Sequence, residues 1–395
     1  MKNPPVSFSD TQTAFEYKSD NDLRRAYWLL RLVNINFLVK AGPPFVRLGF
    51  RLHLPLKSII KSTVFKHFCG GETIAECTQV ISSLANYHVK TILDFSGEGK
   101  ETEQDFEITY KHILSTILVA EKDKRIAFCV FKTTGIARAG LLEKMSSQDT
   151  LSNAEKQEFY VVKMRFEEIC KSCADKDIPV FIDAEESWIQ NCIDDLANEM
   201  MEKFNRRKVI VYNTLQMYRT DRLQYLRDNY ASSLSKGFLP GIKLVRGAYL
   251  EKERKRALSK GYDSPIHLSK DNTDKDFDSA LEFCADHFER IALCAGTHNE
   301  RSTLLLINLM SKKNIPATHP HFFFSQLLGM SDHISFNLSR AGYNVAKYVP
   351  FGPVETVLPY LFRRAEENTA IAGQMGRELS LIISERKRRS KQKVS

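Results

Sequence analysis

From about residue 88 onward, short apolar runs alternate with longer amphipathic stretches. The runs are Thr91–Phe95, Ile126–Phe131, Pro179–Asp183, Lys208–Asn213, Ile242–Arg246, Ile291–Gly296, Phe322–Ser325 and Val345–Pro350. Each has the length of a buried strand, and most are separated by enough residues for a crossover helix. Strand–helix–strand repetition predicts a parallel sheet. Eight such units are the count of a (βα)8 barrel of the α/β class, here preceded by an N-terminal helical arm.

The runs tend to end on reactive side chains. Glu98 follows the first and Lys132 the second, while Asp183 closes the third, with Ala184 next. Gln216 follows the fourth, Lys243 and Arg246 lie on the fifth, Thr297 and His298 follow the sixth, and Tyr348 is on the eighth. Barrel active sites are built at the carboxyl ends of the strands. Loops are polar in any protein, so the inference to an enzyme rests on these residues taken together.

The ends of the chain differ from the repeating part. Residues 1–22 are polar and predict a disordered lead-in; residues 23–87 predict a helical arm. Between Asp22 and Glu72 there is no acidic residue, yet there are nine Lys or Arg among large apolar side chains such as Trp28, Leu30 and Phe37. Two readings of that arm stay open: packing on the main domain, or a basic, apolar surface that rests on a membrane. The barrel is expected to span 88–375. A last helix follows Gly352, with Pro353 and Glu355 as N-terminal signals and Pro359 expected to kink it. Residues 376–395 are read as a helix end and a basic tail, with Arg386–Lys393 expected to be disordered.

Composition narrows the class. The chain has 395 residues, 43% hydrophobic and 27% charged, enough for a full core and incompatible with disorder over most of its length. The net charge is +9, but residues 23–71 carry +9 and residues 385–395 carry +5, leaving −5 for the rest. The basic excess therefore belongs to an arm and a tail. It does not argue for nucleic acid, and it suits peripheral contact with an anionic membrane.

Eight cysteines are ordinary usage, and only Cys170 and Cys173 have redox-like or metal-like spacing. No second pair follows to complete a zinc site, and His319 and His321 lack a nearby carboxylate, so no metal is expected. There is no apolar signal core and no run of 18 apolar residues. A cytoplasmic protein, peripheral on the inner face of the membrane, is the corresponding expectation. GxGxxG, GxSxG and HExxH motifs are absent, and Gly97–Glu101 lacks the features of a P-loop.

Three segments together resemble the proline dehydrogenase family. They are Phe181-Ile-Asp-Ala-Glu-Glu-Ser187, Gly241-Ile-Lys-Leu-Val-Arg-Gly-Ala-Tyr-Leu-Glu-Lys-Glu-Arg254, and the stretch from Gly342 to Asn368 that contains Tyr348, Arg363, Arg364 and Glu367. The likeness runs from about residue 70 to 375 and is greatest to the single-function members. It implies a distorted (βα)8 barrel that holds FAD without a Rossmann domain. It also implies oxidation of L-proline to Δ1-pyrroline-5-carboxylate, the first step of proline catabolism. In the family, hydride passes from ring carbon C5 to flavin N5 and the electrons go on to quinone.

By resemblance, Arg363, Arg364 and Lys132 hold the substrate carboxylate, and Glu367 orients the arginines. Glu98 pairs with the first arginine and gates the site. Tyr348 lies along the proline ring, Leu327 packs against it, and Asp183 fixes Lys132. The implied catalytic set is Asp183, Lys243 and Lys132. The implied flavin contacts are Ala184, Gln216, Lys243, Arg246, Gly247, Ala248, Thr297 and His298. Many bacterial members have arginine at the place of Lys243; the order Lys-Leu-Val-Arg resembles the mitochondrial branch.

Other readings remain. A hydroxyproline dehydrogenase of the same fold is the nearest, and the resemblance makes Tyr348 favour proline by crowding the hydroxyl-bearing carbon. A Schiff-base aldolase or lyase barrel would use Lys132 or Lys243. A non-enzymatic membrane or nucleic-acid binder would use the basic arm and tail.

Overall fold

The computed structural model describes residues 6–33, 56–97, 100–370 and 372–393, with side chains throughout except at 32–33, 365–370 and 372–375. Glu98 and the Pro43–Pro44 region of the arm lie outside the described residues, as does the side chain of Glu367.

Eight strands, β1 (Lys90–Phe95), β2 (Ile126–Lys132), β3 (Val180–Asp183), β4 (Val211–Gln216), β5 (Gly241–Val245), β6 (Ala292–Gly296), β7 (Phe322–Leu327) and β8 (Val345–Phe351), close into a barrel in sequence order. Their Val, Ile, Leu and Phe content suits strands buried on both faces; every residue of β4 and β8 is buried. The eight apolar runs therefore become the eight strands. The fourth is displaced: it starts at Val211 rather than Lys208, because the Asn205 side chain occupies the backbone N–H groups of Ile210 and Val211, at 2.9 Å each. That shift puts Gln216 on the strand rather than after it.

Two compact units make up the chain. The first runs over Ile92–Thr297 and Arg301–Phe324. Its interior holds a ring cluster in which Phe128 stacks on Phe181 at 4.3 Å and meets Tyr212 and Phe323 edge-on at 5.6 and 4.9 Å. Parallel register sets Lys132 directly opposite Asp183, and Thr214 opposite Lys243. The connecting helices begin on side-chain caps: Thr102 accepts from Asp105 N, and Ser152 with Glu155 forms a capping box.

The second unit contains Asn3–Thr91, His298–Glu300 and Ser325–Ser395. Among the described residues, parts of both chain ends expected to be disordered are helical. A helix at Thr11–Phe15 follows the cap Asp10, and Ala14 and Phe15 are fully buried. They pack with Leu23, Ala26 and Leu30 of the helix Asp20–Val33 and with Leu381 and Ile382 of the helix Ala372–Gln392. The basic tail belongs to that last helix. Arg389 donates to the carbonyls of Phe15 and Lys18 at 2.8 Å each, and Lys393 pairs with Asp20 at 2.5 Å. The helix Asp20–Val33 thus buries one face within its own unit, while its Arg24, Arg25 and Trp28 remain exposed. The final barrel-associated helix, Val354–Ala370, runs through Pro359.

Phe15→Ala is expected to destabilise the protein by about 3–5 kcal/mol, the range for deleting a buried aromatic side chain. Urea denaturation checks this; a loss below about 1 kcal/mol would contradict a structural role for the N-terminal residues. Among the described residues, no helix is long and apolar enough to cross a membrane.

Candidate active site

The first unit gathers two carboxylates and two ammonium groups on β1, β2, β3 and β5. Asp183 Oδ2 accepts from Lys132 Nζ at 3.2 Å, and Asp183 Oδ1 accepts from Lys243 Nζ. Lys132 is also 3.7 Å from the carboxylate of Asp94. The order is therefore Asp94–Lys132–Asp183–Lys243, with the charges balanced. Lys243 further lies over the Phe181 ring, 5.0 Å from its centroid. Burial makes such pairing obligatory: an isolated charge in a barrel interior is costly, and each ion here has an opposite neighbour. The structure therefore brings Lys132, Asp183 and Lys243 together. Asp94, which the apolar-run pattern places inside a strand, completes the set.

A second network surrounds Ala184. The carboxylate of Glu185 accepts from Thr134 N at 2.9 Å and from the Thr134 hydroxyl. The Glu185 carbonyl accepts from Gln216 Nε2 at 2.6 Å, and Gln216 Oε1 accepts from Ala248 N at 3.0 Å. Gln216 thus ties the loop after β3 to the loop after β5. Burial, reinforced by the neighbouring Glu186, pushes the Glu185 carboxyl up to about 7 from an ordinary 4.5, against the two bonds from Thr134.

The folded state then binds a proton at Glu185 that the unfolded chain has released. The stabilising contribution is fully present below about pH 4.5 and is lost as pH rises through about 7. Glu185→Gln is expected to flatten the fall in stability over that window, worth on the order of 3 kcal/mol. Thermal unfolding of both proteins from pH 4.5 to 8 checks it; parallel curves would contradict it.

Arg246, just past β5, is held on three sides. It donates to Asp274 Oδ1 at 2.7 Å, Thr297 Oγ1 at 2.7 Å and Ser302 Oγ at 2.8 Å, and its guanidinium lies 4.3 Å from the Phe277 ring centroid. Burial opposes ionisation of Asp274, but bonds from Lys270 and Arg246 hold its carboxyl below the usual range. Gly247 follows with φ of +135°, a conformation that side chains rarely adopt. A Cβ there would meet the Tyr218 ring at 2.5 Å, so glycine is required on both counts.

The second unit carries the remaining site residues predicted from sequence. Arg364 is buried and lies over the Tyr360 ring at 5.2 Å; Arg363 beside it is half-buried. Tyr348 is buried on β8, and its carbonyl accepts from Leu328 N at 2.9 Å, next to Leu327. His298 Nδ1 is 2.9 Å from the hydroxyl of Ser331. Ser331, Asp332 and Lys347, all buried, carry no local sequence signal and were not anticipated. Cys170 and Cys173 are buried, and burial pushes both thiols up, away from reactive thiolate.

These features define a (βα)8-barrel enzyme with a charged, hydrogen-bonded cluster on its strands and with arginines on the helix after β8. Residues 77–377 match the family described as "Proline dehydrogenase". The chain is 32% identical over 426 residues to the "Proline dehydrogenase 1, mitochondrial" of Dictyostelium discoideum, covering 96% of this chain and 74% of that one. It is 28% identical to a "Hydroxyproline dehydrogenase" of Xenopus laevis, covering 97% and 90%. In fold it is similar to the crystal structure of proline utilization A from Bdellovibrio bacteriovorus inactivated by N-propargylglycine. The TM-score there is 0.71 at 19% identity, over 90% of this chain and 38% of that one. The chain belongs to the proline dehydrogenase family.

Proposed function

We propose that this enzyme oxidises L-proline to Δ1-pyrroline-5-carboxylate with FAD as its cofactor and a quinone as the final acceptor. The observation that carries the reading is the Lys132–Asp183–Lys243 cluster on the strands of a barrel from this family. The donor set suits a flavin. Lys243 and Arg246 place two cations on β5 and its end, which favours a group that gains negative charge on reduction. Gln216, Ala248, Thr297 and His298 add polar contacts, and Gly247 lets the chain turn tightly beside them. Bound FAD would supply the two-electron acceptor that side chains lack.

The residues do the rest. Arg363 and Arg364 bind the substrate carboxylate through their planar guanidinium groups, which match it with paired, charge-assisted hydrogen bonds. Lys132 adds a third cation and is kept in place by Asp94 and Asp183. Asp183 keeps the Lys243 ammonium oriented. In this reading Tyr348 and Leu327 would shape the space for the pyrrolidine ring, Ala184 would border the cofactor, and the family resemblance gives Glu98 and Glu367 the role of holding the arginines.

Tyr348 also favours proline over its hydroxylated analogue. Dye reduction with L-proline and trans-4-hydroxy-L-proline in parallel tests this. Proline is expected to give the higher kcat/KM, and preference for hydroxyproline would reverse the assignment. The exposed Trp28, Arg24 and Arg25 suit peripheral contact with an anionic bilayer, from which a lipid-soluble quinone would come.

A further inference from the structure

Ser331 occupies the left-handed region, with φ 51° and ψ 43°, where a non-glycine residue is strained. Such a conformation persists only where its surroundings enforce it. Here both ends of the chain do so. The backbone N–H of Ser331 donates to both oxygens of Glu378 in the C-terminal helix, at 3.2 and 3.3 Å. The next residue, Asp332, is fully buried. Its carboxylate accepts from the Tyr17 hydroxyl at 2.7 Å and pairs with Lys18 at 2.6 Å and Lys347 at 2.9 Å. Lys347 also donates to the carbonyls of Leu327 and Met330, fixing the turn that leads into Ser331.

The opposing loop is pinned by the same helix. Glu300 accepts from Arg377 at 3.0 Å and pairs with His333 at 3.1 Å. His298, two residues earlier, meets the Ser331 hydroxyl through Nδ1. At Ser331 itself, glycine would take the same backbone angles without strain. What the serine adds is a hydroxyl aimed at one imidazole nitrogen. A hydroxyl can donate to or accept from that nitrogen, so the contact fixes the orientation of the ring in either tautomer.

We propose that Ser331, locked by Glu378 and by the Tyr17–Lys18–Asp332–Lys347 cluster, is a positioning residue that sets the orientation of the His298 ring for the cofactor. The inference rests on the assignment of His298 as a flavin contact made above.

Ser331→Gly separates positioning from structure, because it removes the hydroxyl and relieves the backbone at once. The full-length protein, labelled with 15N-histidine, is compared with this variant; His298→Asn assigns the ring signals. FAD affinity is measured by titrating the apoprotein, and melting temperature is recorded. The expected result is a melting temperature equal to or above wild type, shifted ring signals of His298, and FAD binding weakened about ten-fold. Ring signals unchanged in Ser331→Gly would overturn the positioning role. Shifted signals with unchanged FAD affinity would overturn its link to the cofactor. If FAD affinity is also unchanged in His298→Asn, the fault lies with the assignment of His298 itself. Should the glycine variant not fold, Ser331→Ala gives the same three readouts.

Discussion

Arg364→Ala is expected to raise the KM for proline by about two to three orders of magnitude while FAD remains bound. A buried, bidentate guanidinium–carboxylate contact is worth about 3–4 kcal/mol when one partner is truncated, and about 1.4 kcal/mol corresponds to a factor of ten. Arg364 is buried and rests on the Tyr360 ring, so its fork is already oriented before substrate arrives. Lysine at this position should recover only part of the loss, since a point charge cannot make the paired contact. Steady-state dye reduction, together with the flavin content of the purified variant, checks both statements. Proline kinetics like those of the wild type would remove Arg364 from the carboxylate site.

The second large effect is expected at Asp183. Its carboxylate pairs with both Lys132 and Lys243, Asp94 supplying the second negative charge of the cluster. Asp183→Asn keeps the shape and removes the charge, leaving two cations with too little compensation. Breaking a buried pair in this way costs about 3–5 kcal/mol, and the misplaced ammonium groups should also lower kcat severely. Adding Lys243→Met to Asp183→Asn should cost less stability than the two single changes summed, because the second change removes a charge that the first left unpaired. Unfolding midpoints of the four proteins measure that coupling; strict additivity would show that the contact carries no energy.

The barrel was legible because parallel strands buried on both faces read as apolar runs, and each run stood clear of its neighbours. Lys132 and Asp183 stand out in the pattern because they close their apolar runs, whereas their grouping with Lys243, in the middle of β5, comes from the family resemblance. β4 was misjudged by three residues because the Asn205 side chain binds the first N–H groups of the apolar run, a contact with no periodicity of its own.

The chain ends were misread for a different reason. A five-residue helix leaves almost no pattern, and a charge run usually belongs to solvent. The partners that order them are remote: Lys393 meets Asp20 across 373 residues and Thr11 meets Glu385 across 374. Ser331 escaped notice because nothing local marks a strained serine. Its conformation depends on Glu378, 47 residues away.

The central claim, that a flavin accepts electrons from proline in this protein, is tested most directly by one spectrum. Purified protein should show the oxidised-flavin absorbance band, and anaerobic addition of L-proline should bleach it. A colourless protein reconstituted with FAD that gains no band, or a flavin band that L-proline leaves unchanged, would contradict the account.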